Sequence, residues 1–442
     1  MADIYPFHGF TYSRDKVGAA DNVVSQPYDK ISAGMAKEYL GRNPYNIARI
    51  ILSAPESSDL HTHFSAVADT FNSWLAGGIL SRSAAPRLYP YYQTYRIPGS
   101  DKVCVRKSFV GLGRLYDYSE GVIRPHEKTH SGPKIDRLML TRATGCQFGL
   151  LFMLYPDKEA RINSILDEST AGLEPSIQAI DENGVKHTMW EIEDSEKIRR
   201  VQQIMHDKNL YIADGHHRYE TALTYWREQA AGAPQTEDGE AVDRAMMAFV
   251  SIHDEGLSVL PTHRLVFSLA DFDPAALLTS LEAYFQIEEP GPATESALIS
   301  ALQANSSTGH SMIFAAKGRN SLFRLKLRPS PSPSSLIPGQ GSEHWKSLDV
   351  NILHKLIFER HLGIDEKDLE NQTKVNYFRD PAEALAQVTG SESKYQAAFF
   401  LNPSRVEDVV EIADRGECMP QKSTDFYPKM LTGMVLNKFN SK

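Results

Sequence analysis

Phe64, Val67, Phe71, Trp74 and Leu75 recur at three- and four-residue intervals and end at Gly77-Gly78, the spacing of one helix face packed on a core and stopped by glycine. The stretches 88–96 and 106–116 alternate instead, are rich in Tyr and Val, and flank Ile97-Pro98-Gly99-Ser100-Asp101-Lys102. Period two on either side of a Pro-Gly turn predicts a hairpin. A second hairpin is expected for 177–180 and 185–192 around Asn183-Gly184, and a third for 312–316 and 322–327 across Lys317-Gly318-Arg319-Asn320. Asp273-Pro274 is an N-cap and first-turn pair ahead of Leu277, Leu278, Leu281 and Phe285, so a helix is expected through Phe285. Leu348, Ile352, Leu353, Leu356 and Ile357 mark another that ends near Gly363, and Ser404 with Glu407 reads as a capping box for a helix to Ala413.

Hairpins mixed with helices predict an α+β fold of mixed or antiparallel sheets with packed helices. The stretch RPSPSPSSLIPGQGSE, 328–343, is too rich in Pro, Ser and Gly for regular structure and is expected as a surface loop. A boundary near residue 270 divides the chain into an N-terminal region, 1–270, and a C-terminal region, 271–442. No internal repeat is evident.

With 442 residues, 41% hydrophobic and 23% charged, the chain has the composition of a globular protein with two or more cores. No apolar run approaches the ~20 residues of a membrane span, and MADIYPFHGF lacks the basic start and apolar stretch of a signal peptide, so a cytoplasmic protein without a membrane partner is expected. Cys104, Cys146 and Cys418 form no C-x-x-C pair, which argues against a disulfide framework. A net charge of −9 argues against nucleic acid as a partner. Any anion must therefore be bound locally, where His, Arg and Lys cluster.

His126, Glu127 and His130 have the H-E-x-x-H spacing of a zinc protease. That spacing works only on a helix, and Pro125 before it with Ser131, Gly132 and Pro133 after it leave less than two turns. No zinc is expected. The segment reads as a polar loop that caps backbone or touches a substrate.

NLYIADGHHRYETALTYWREQ, residues 209–229, carries more chemistry. An apolar strand, the turn Asp214-Gly215 and an amphipathic helix follow one another, with His216, His217 and Arg218 in the helix's first turn. Backbone N–H groups at a helix start point outward with partial positive charge, and basic side chains there oppose the helix dipole unless an anion lies among them. Phosphate binding is the functional reading. The structural alternative has Asp214 as cap, one His in the core, and Arg218 paired with Glu220 or a distant carboxylate. Thr262, His263 and Arg264 in VLPTHRLV, and Lys422, Ser423, Thr424 and Lys429 in MPQKSTDFYPK, are further basic and hydroxylic groups suited to phosphate oxygens. The loops at 126–127, 214–218 and 262–264 are expected to converge on one pocket.

QPYDKI (26–31), NPYNIARI (43–50), HEKT (126–129), ADGHHRYETAL (213–223), LPTHRLV (260–266) and MPQKSTDFYPK (419–429) together resemble a widespread family of uncharacterised bacterial proteins catalogued as a domain of unknown function, over almost the whole chain. In that family a His at the place of His130 is not typical. The Asp214 turn also resembles the phosphate-binding turn of the ParB and sulfiredoxin-like superfamily, which includes a free-serine kinase. That resemblance implies a strand-turn-helix phosphate site, with a nucleotide or phosphate cradled by Gly215, His216, His217 and Arg218 and with Asp214 near a metal or the reacting hydroxyl. The reactive Cys of sulfiredoxin is absent from this turn.

The resulting expectation is a phosphoryl-transfer enzyme acting on a small hydroxylated or phosphorylated metabolite such as serine, with ADP or ATP and Mg2+. Asp214 or Glu127 would accept the proton, and His126 and His217 would complete the catalytic set. Gly215, His216, Arg218, His263, Arg264, Lys422, Ser423 and Thr424 would bind phosphate. A phosphatase using the same cradle and a non-catalytic nucleotide-sensing regulator are the alternatives.

Overall fold

The structure, a computed structural model, describes residues 1–52, 59–127, 132–230, 241–305 and 309–439, with backbone alone at 132–134. The chain forms two compact units: Met1–Pro125, Thr129–Ser258 and Pro428–Lys442 make the first, and His126–Lys128 with Val259–Tyr427 the second. The division thus falls after Ser258 rather than near residue 270, and the last fifteen residues return to the first unit instead of closing the second. Both units mix helices with strands.

The first unit is built on a nine-stranded mixed sheet. The Tyr-rich strands Tyr89–Arg96 and Val103–Arg114 pair antiparallel as the hairpin that alternation predicts, and Ile177–Ile180 pairs with Lys186–Met189 in the second. Beyond Val103–Arg114 come Arg244–Ser251, antiparallel, then Leu151–Tyr155, parallel to it. Leu210–Asp214 follows antiparallel, with Ile123–Arg124 parallel at the end. Arg244–Ser251 is buried at every position, as expected of a strand covered on both faces. Asp59 caps the helix Leu60–Ala76 by accepting from the backbone N–H of Thr62, and the stripe Phe64, Val67, Phe71 and Trp74 is buried as its spacing requires.

The second unit holds a six-stranded sheet in the order Phe285–Pro292, Ser321–Leu327, Ser311–Ala316, Tyr395–Phe400, His263–Phe267 and Val375–Phe378, antiparallel throughout. Its core joins Leu298, Ile313, Leu322, Leu385 and Phe400. The third hairpin is present in this sheet. Local details depart from expectation. Asp273 caps a helix over Pro274–Leu281, but Phe285 opens a strand. The helix Val406–Asp414 forms without the capping box, because the Ser404 hydroxyl donates to the carbonyl of Ser423 at 2.8 Å. Within 328–343, four residues, Pro333–Leu336, do make a helical turn.

The first sheet carries charge in its interior. Arg106 is 0% exposed, its guanidinium 4.6 Å above the Phe152 ring. It donates from Nε to Gln93 Oε1 at 3.1 Å and also donates to the carbonyl of Pro428. Gln93 Nε2 donates to the carbonyl of Lys429 at 2.9 Å, and the Tyr91 hydroxyl accepts from the N–H of Leu431 at 3.2 Å. Tyr91 also bonds His187 Nδ1 at 2.7 Å, and His187 Nε2 lies 3.3 Å from Asp181. Burial lowers Arg106 to about 10, which leaves it charged at neutral pH. Replacing it by methionine would fill similar space but strip donors from two buried oxygens, at about 1–3 kcal/mol each. Arg106→Met should therefore lower the thermal unfolding midpoint by roughly 5–10 °C. A calorimetric scan with an unchanged midpoint would show that these bonds do not hold the C-terminal segment on the sheet.

Candidate functional site

The pairing of Leu210–Asp214 slips between Ile212 and Asp214, and the chain then turns through Gly215 into the helix His216–Ala230. Gly215 has φ +98°, and a Cβ there would lie 3.1 Å from Arg218 Cζ and Nε and from Leu151 Cδ2. The backbone conformation favours glycine, and the space beside it is tight. The reason for the second constraint is the course of Arg218, which folds back over the turn, donates to Asp214 Oδ2 at 2.6 Å and donates to the carbonyl of Leu150.

Asp214 thus meets a cation one helical turn ahead of it. A second arrives from the end of the chain, with Lys429 Nζ 3.4 Å from Oδ1. Burial by itself would raise the Asp214 carboxyl, but Lys429, Arg218, Lys30 and His216 outweigh it and hold the group well below the usual carboxylate range. The anion demanded by a basic first turn is therefore present in the chain itself. Arg218 takes Asp214 as its carboxylate partner rather than Glu220 or a distant one. His216 is buried and His217 half-buried. The carbonyl of His217 accepts from Thr221 Oγ1 at 2.8 Å, and Tyr219 fastens the helix from below by donating to the carbonyl of Tyr116 at 2.8 Å.

Beside this turn lies a recess of about 720 Å³ including its open mouth, bordered by Tyr28, Arg137, Thr141, Arg218, Thr221 and Thr432. Arg137 stacks on the Tyr28 ring at 4.3 Å and donates to the carbonyl of Ile51 at 2.7 Å. Sequence reasoning gives Lys30, Tyr28 and Arg106 no individual role, whereas it names Lys429 among the groups suited to phosphate oxygens. QPYDKI carries the first two, so the motif itself was the available signal.

The remaining site residues belong to the second unit. His126 is 0% exposed, its Nε2 is 2.8 Å from Thr424 Oγ1, and its carbonyl accepts from the N–H of Met419 at 2.7 Å. Glu127 pairs with Met419 in a parallel bridge, so this segment is extended. His130, Thr129 and Ser131 lie outside the described residues. Arg264 is 2% exposed and committed to backbone, donating to the carbonyls of Thr262 and, at 2.9 Å, of Lys422. Ser423 donates to the carbonyl of Pro420, and Lys422, at φ +56°, is exposed. His263 is enclosed beside Phe400, at a ring distance of 5.2 Å, with no hydrogen-bond partner for either nitrogen among the described residues. Burial and then Arg264 lower it to about 3. Among the described residues no group of three or more His, Cys, Asp or Glu is placed to hold a metal.

A family model described as a protein of unknown function (DUF1015) matches residues 4–351. No curated protein matches the chain. Among solved structures, a conserved hypothetical protein from Pyrococcus furiosus is similar at 15% identity and TM-score 0.31, covering 69% of this chain and 87% of its own. A free serine kinase in complex with AMP gives 12%, TM-score 0.32, and 75% and 92% coverage. SbnI with C-terminal truncation from Staphylococcus aureus gives 11%, TM-score 0.32, and 74% and 86%.

Two measurements probe these surroundings. Arg218→Ala would leave Asp214 without its nearest cation and the Leu150 carbonyl without a donor. About 3 kcal/mol of stability, or roughly 6–12 °C in the unfolding midpoint, should be lost. A midpoint within 1–2 °C of the parent would show that the arginine does not hold the turn. His263 gives a pH signature. Unfolded, a histidine takes up its proton below about pH 6.5, whereas the folded site resists protonation down to about 3. The unfolded chain therefore binds more protons in that window. This stability is present above about pH 6.5 and is lost as the pH falls toward 3. His263→Phe should flatten the fall in unfolding midpoint between pH 6.5 and 4, and an equally steep fall in the variant would assign acid sensitivity elsewhere.

Proposed function

Since the chain belongs to the DUF1015 family, whose description assigns no reaction, its chemistry is argued from the Asp214 turn, and we propose that this turn binds the phosphate groups of a nucleotide or phosphorylated metabolite and serves phosphoryl transfer to a small hydroxylated acceptor. One observation carries the reading. In a protein of net charge −9, a half-buried carboxylate at a glycine turn is held ionised by Lys429, Arg218, Lys30 and His216. Such a local excess of positive charge favours an anion, and phosphoryl transfer is catalysed mainly by positioning and by stabilising charge on the transferring oxygens.

The residues take distinct roles. Lys429 and Lys30 supply charge to phosphate oxygens, and the Gly215 turn allows backbone to approach them. Arg218, tied to Asp214 and to the Leu150 carbonyl, is a positioning residue. Asp214 is a weak base at neutral pH, because its cations lower its proton affinity; it orders Lys429 and Arg218 instead. The acceptor's proton falls to His217, the imidazole in the first turn of the same helix. The oxygens of Asp214 are already bonded to two cations, so the turn does not fit a protein-held Mg2+ and no step is assigned to one.

Titration calorimetry with ADP, ATP and pyrophosphate, combined with phosphorus NMR in the presence of serine, tests the reading. The parent protein should bind at least one of the three and form a phosphate ester. Lys429→Met should weaken binding roughly ten- to a hundredfold, the worth of one or two charge-assisted contacts, measured well below the variant's unfolding midpoint, since the Lys429–Asp214 pair is lost as well. Release of inorganic phosphate alone would indicate a phosphatase, and binding without turnover a regulator. No binding of any of the three at millimolar concentration would sink the proposal.

A further inference from the structure

The recess beside the Asp214 turn lies wholly within the first unit, and Arg218 belongs to both: its guanidinium closes the turn on Asp214 and borders the recess. What the recess accepts therefore bears on what a phosphate at the turn is attached to.

Most of its lining is hydrocarbon. Ile51, Leu140, Phe148, Leu151, Met246 and Phe439 border it, all of them buried. They come from separate parts of the chain: the short helix Ala48–Ile51, the helix Gly132–Thr144, the strands Leu151–Tyr155 and Arg244–Ser251, and the C-terminal segment. Tyr225, on the helix that starts at the turn, stacks on Phe439 with ring centroids 5.3 Å apart and adds aromatic surface. Cys146 borders the same space, and burial pushes its thiol up.

The polar groups of the lining are mostly spent on the fold. Arg137 donates to Asp136 at 3.1 Å and to the carbonyl of Ile51 at 2.7 Å. The Thr141 hydroxyl donates to the carbonyl of Arg137 at 3.0 Å, and that of Thr221 to the carbonyl of His217 at 2.8 Å. Gln147 donates from Nε2 to the carbonyl of Arg244 at 3.2 Å and accepts at Oε1 from the N–H of Met246 at 2.8 Å. Among the described residues of the lining, that leaves the hydroxyls of Tyr28, Tyr225 and Thr432, and no carboxylate. An amino-acid head group, a sugar or the edge of a base brings several donors and acceptors, and in this space most of them would lose water without gaining a partner. A hydrocarbon has no such loss and gains by burial.

We propose, resting on the reading that the Asp214 turn binds phosphate, that its ligand is a phosphate ester of a compact hydrocarbon, branched or aromatic, with the phosphate at the turn and the hydrocarbon in the recess. Calorimetry on the full chain with methyl phosphate, phenyl phosphate and O-phosphoserine tests this, with pyrophosphate as the probe of the turn alone. Phenyl phosphate should bind at least about tenfold more tightly than methyl phosphate, the effect of burying one ring, and O-phosphoserine no more tightly than methyl phosphate. Ala222→Phe, which places a ring in the recess from the helix His216–Ala230, should cut that advantage to less than about threefold and leave pyrophosphate affinity within about twofold. Should that variant fail to fold, Thr141→Phe on the helix Gly132–Thr144 makes the same test from another side. Three results would each overturn the inference and leave the phosphate reading standing: pyrophosphate bound without preference for phenyl over methyl phosphate, O-phosphoserine bound as tightly as phenyl phosphate, or an undiminished advantage in the folded variants. No binding of any of the four at millimolar concentration would overturn both.

Discussion

The guanidinium of Arg106 sits inside the nine-stranded sheet, fully enclosed, and binds a carbonyl from a segment 322 residues further along the chain. Enclosing a charge in a sheet is costly unless its donors are used. Here the donors reach Gln93 and Pro428, and Gln93 in turn reaches the carbonyl of Lys429. Two consecutive carbonyls of the C-terminal segment are thus fixed from one place. Only with its backbone held this way does the Lys429 side chain, 8% exposed, come within 3.4 Å of Asp214 without a freely rotating tail around it. The ordering entropy of a long lysine side chain, about 2 kcal/mol, is offset by burial and by the carboxylate it meets.

The interplay at the turn follows from that constraint. Arg218 alone would leave Asp214 as one half of an ordinary i,i+4 pair, of the kind that contributes little at a surface. Lys429, Lys30 and His216 make it the centre of a cationic cluster instead. Arg218 is then doubly committed, to Asp214 and to Leu150, and at Gly215 a side chain would meet both a left-handed backbone and the close approach of the guanidinium that closes the turn. A glycine that looks like a phosphate-loop residue in the sequence thus has a complete packing reason as well. The two readings are not rivals, because a cradle of backbone amides must be held rigid by something.

What the sequence made legible was local. Alternation gave three hairpins, and three- and four-residue spacing gave the Leu60–Ala76 helix with its buried stripe. Strand, turn and helix at 210–230 were readable because apolar run, Asp-Gly and amphipathic stretch adjoin one another. What was not legible depended on partners far away. Ser404 stands three residues before Glu407, the spacing of a capping box, yet the Ser423 carbonyl takes its hydroxyl. Arg106 looks like one more polar residue on an alternating strand until the carbonyl of Pro428 explains why it can point inward. The helix at Leu353–Leu362 widens to i→i+5 spacing yet has the same apolar spacing as a regular one, so winding could not be read from it.

Burial also sorts the basic residues that composition treats alike. His263 and Arg264 occupy a strand that pairs on both sides, and their side chains are enclosed, with Arg264 spent on two carbonyls. A guanidinium so committed would have to break those bonds to reach a ligand, at about 1.5–3 kcal/mol for each. Lys422 is exposed, and the left-handed backbone there is stabilised by the same Arg264 that accepts no other role, since its carbonyl takes the 2.9 Å bond. Clusters of His, Arg and Lys in a sequence therefore mark two different things: cations gathered around a carboxylate, as at Asp214, and cations used as rivets for loop carbonyls, as at Arg264 and Arg106. Only the first kind enters the proposed phosphate site.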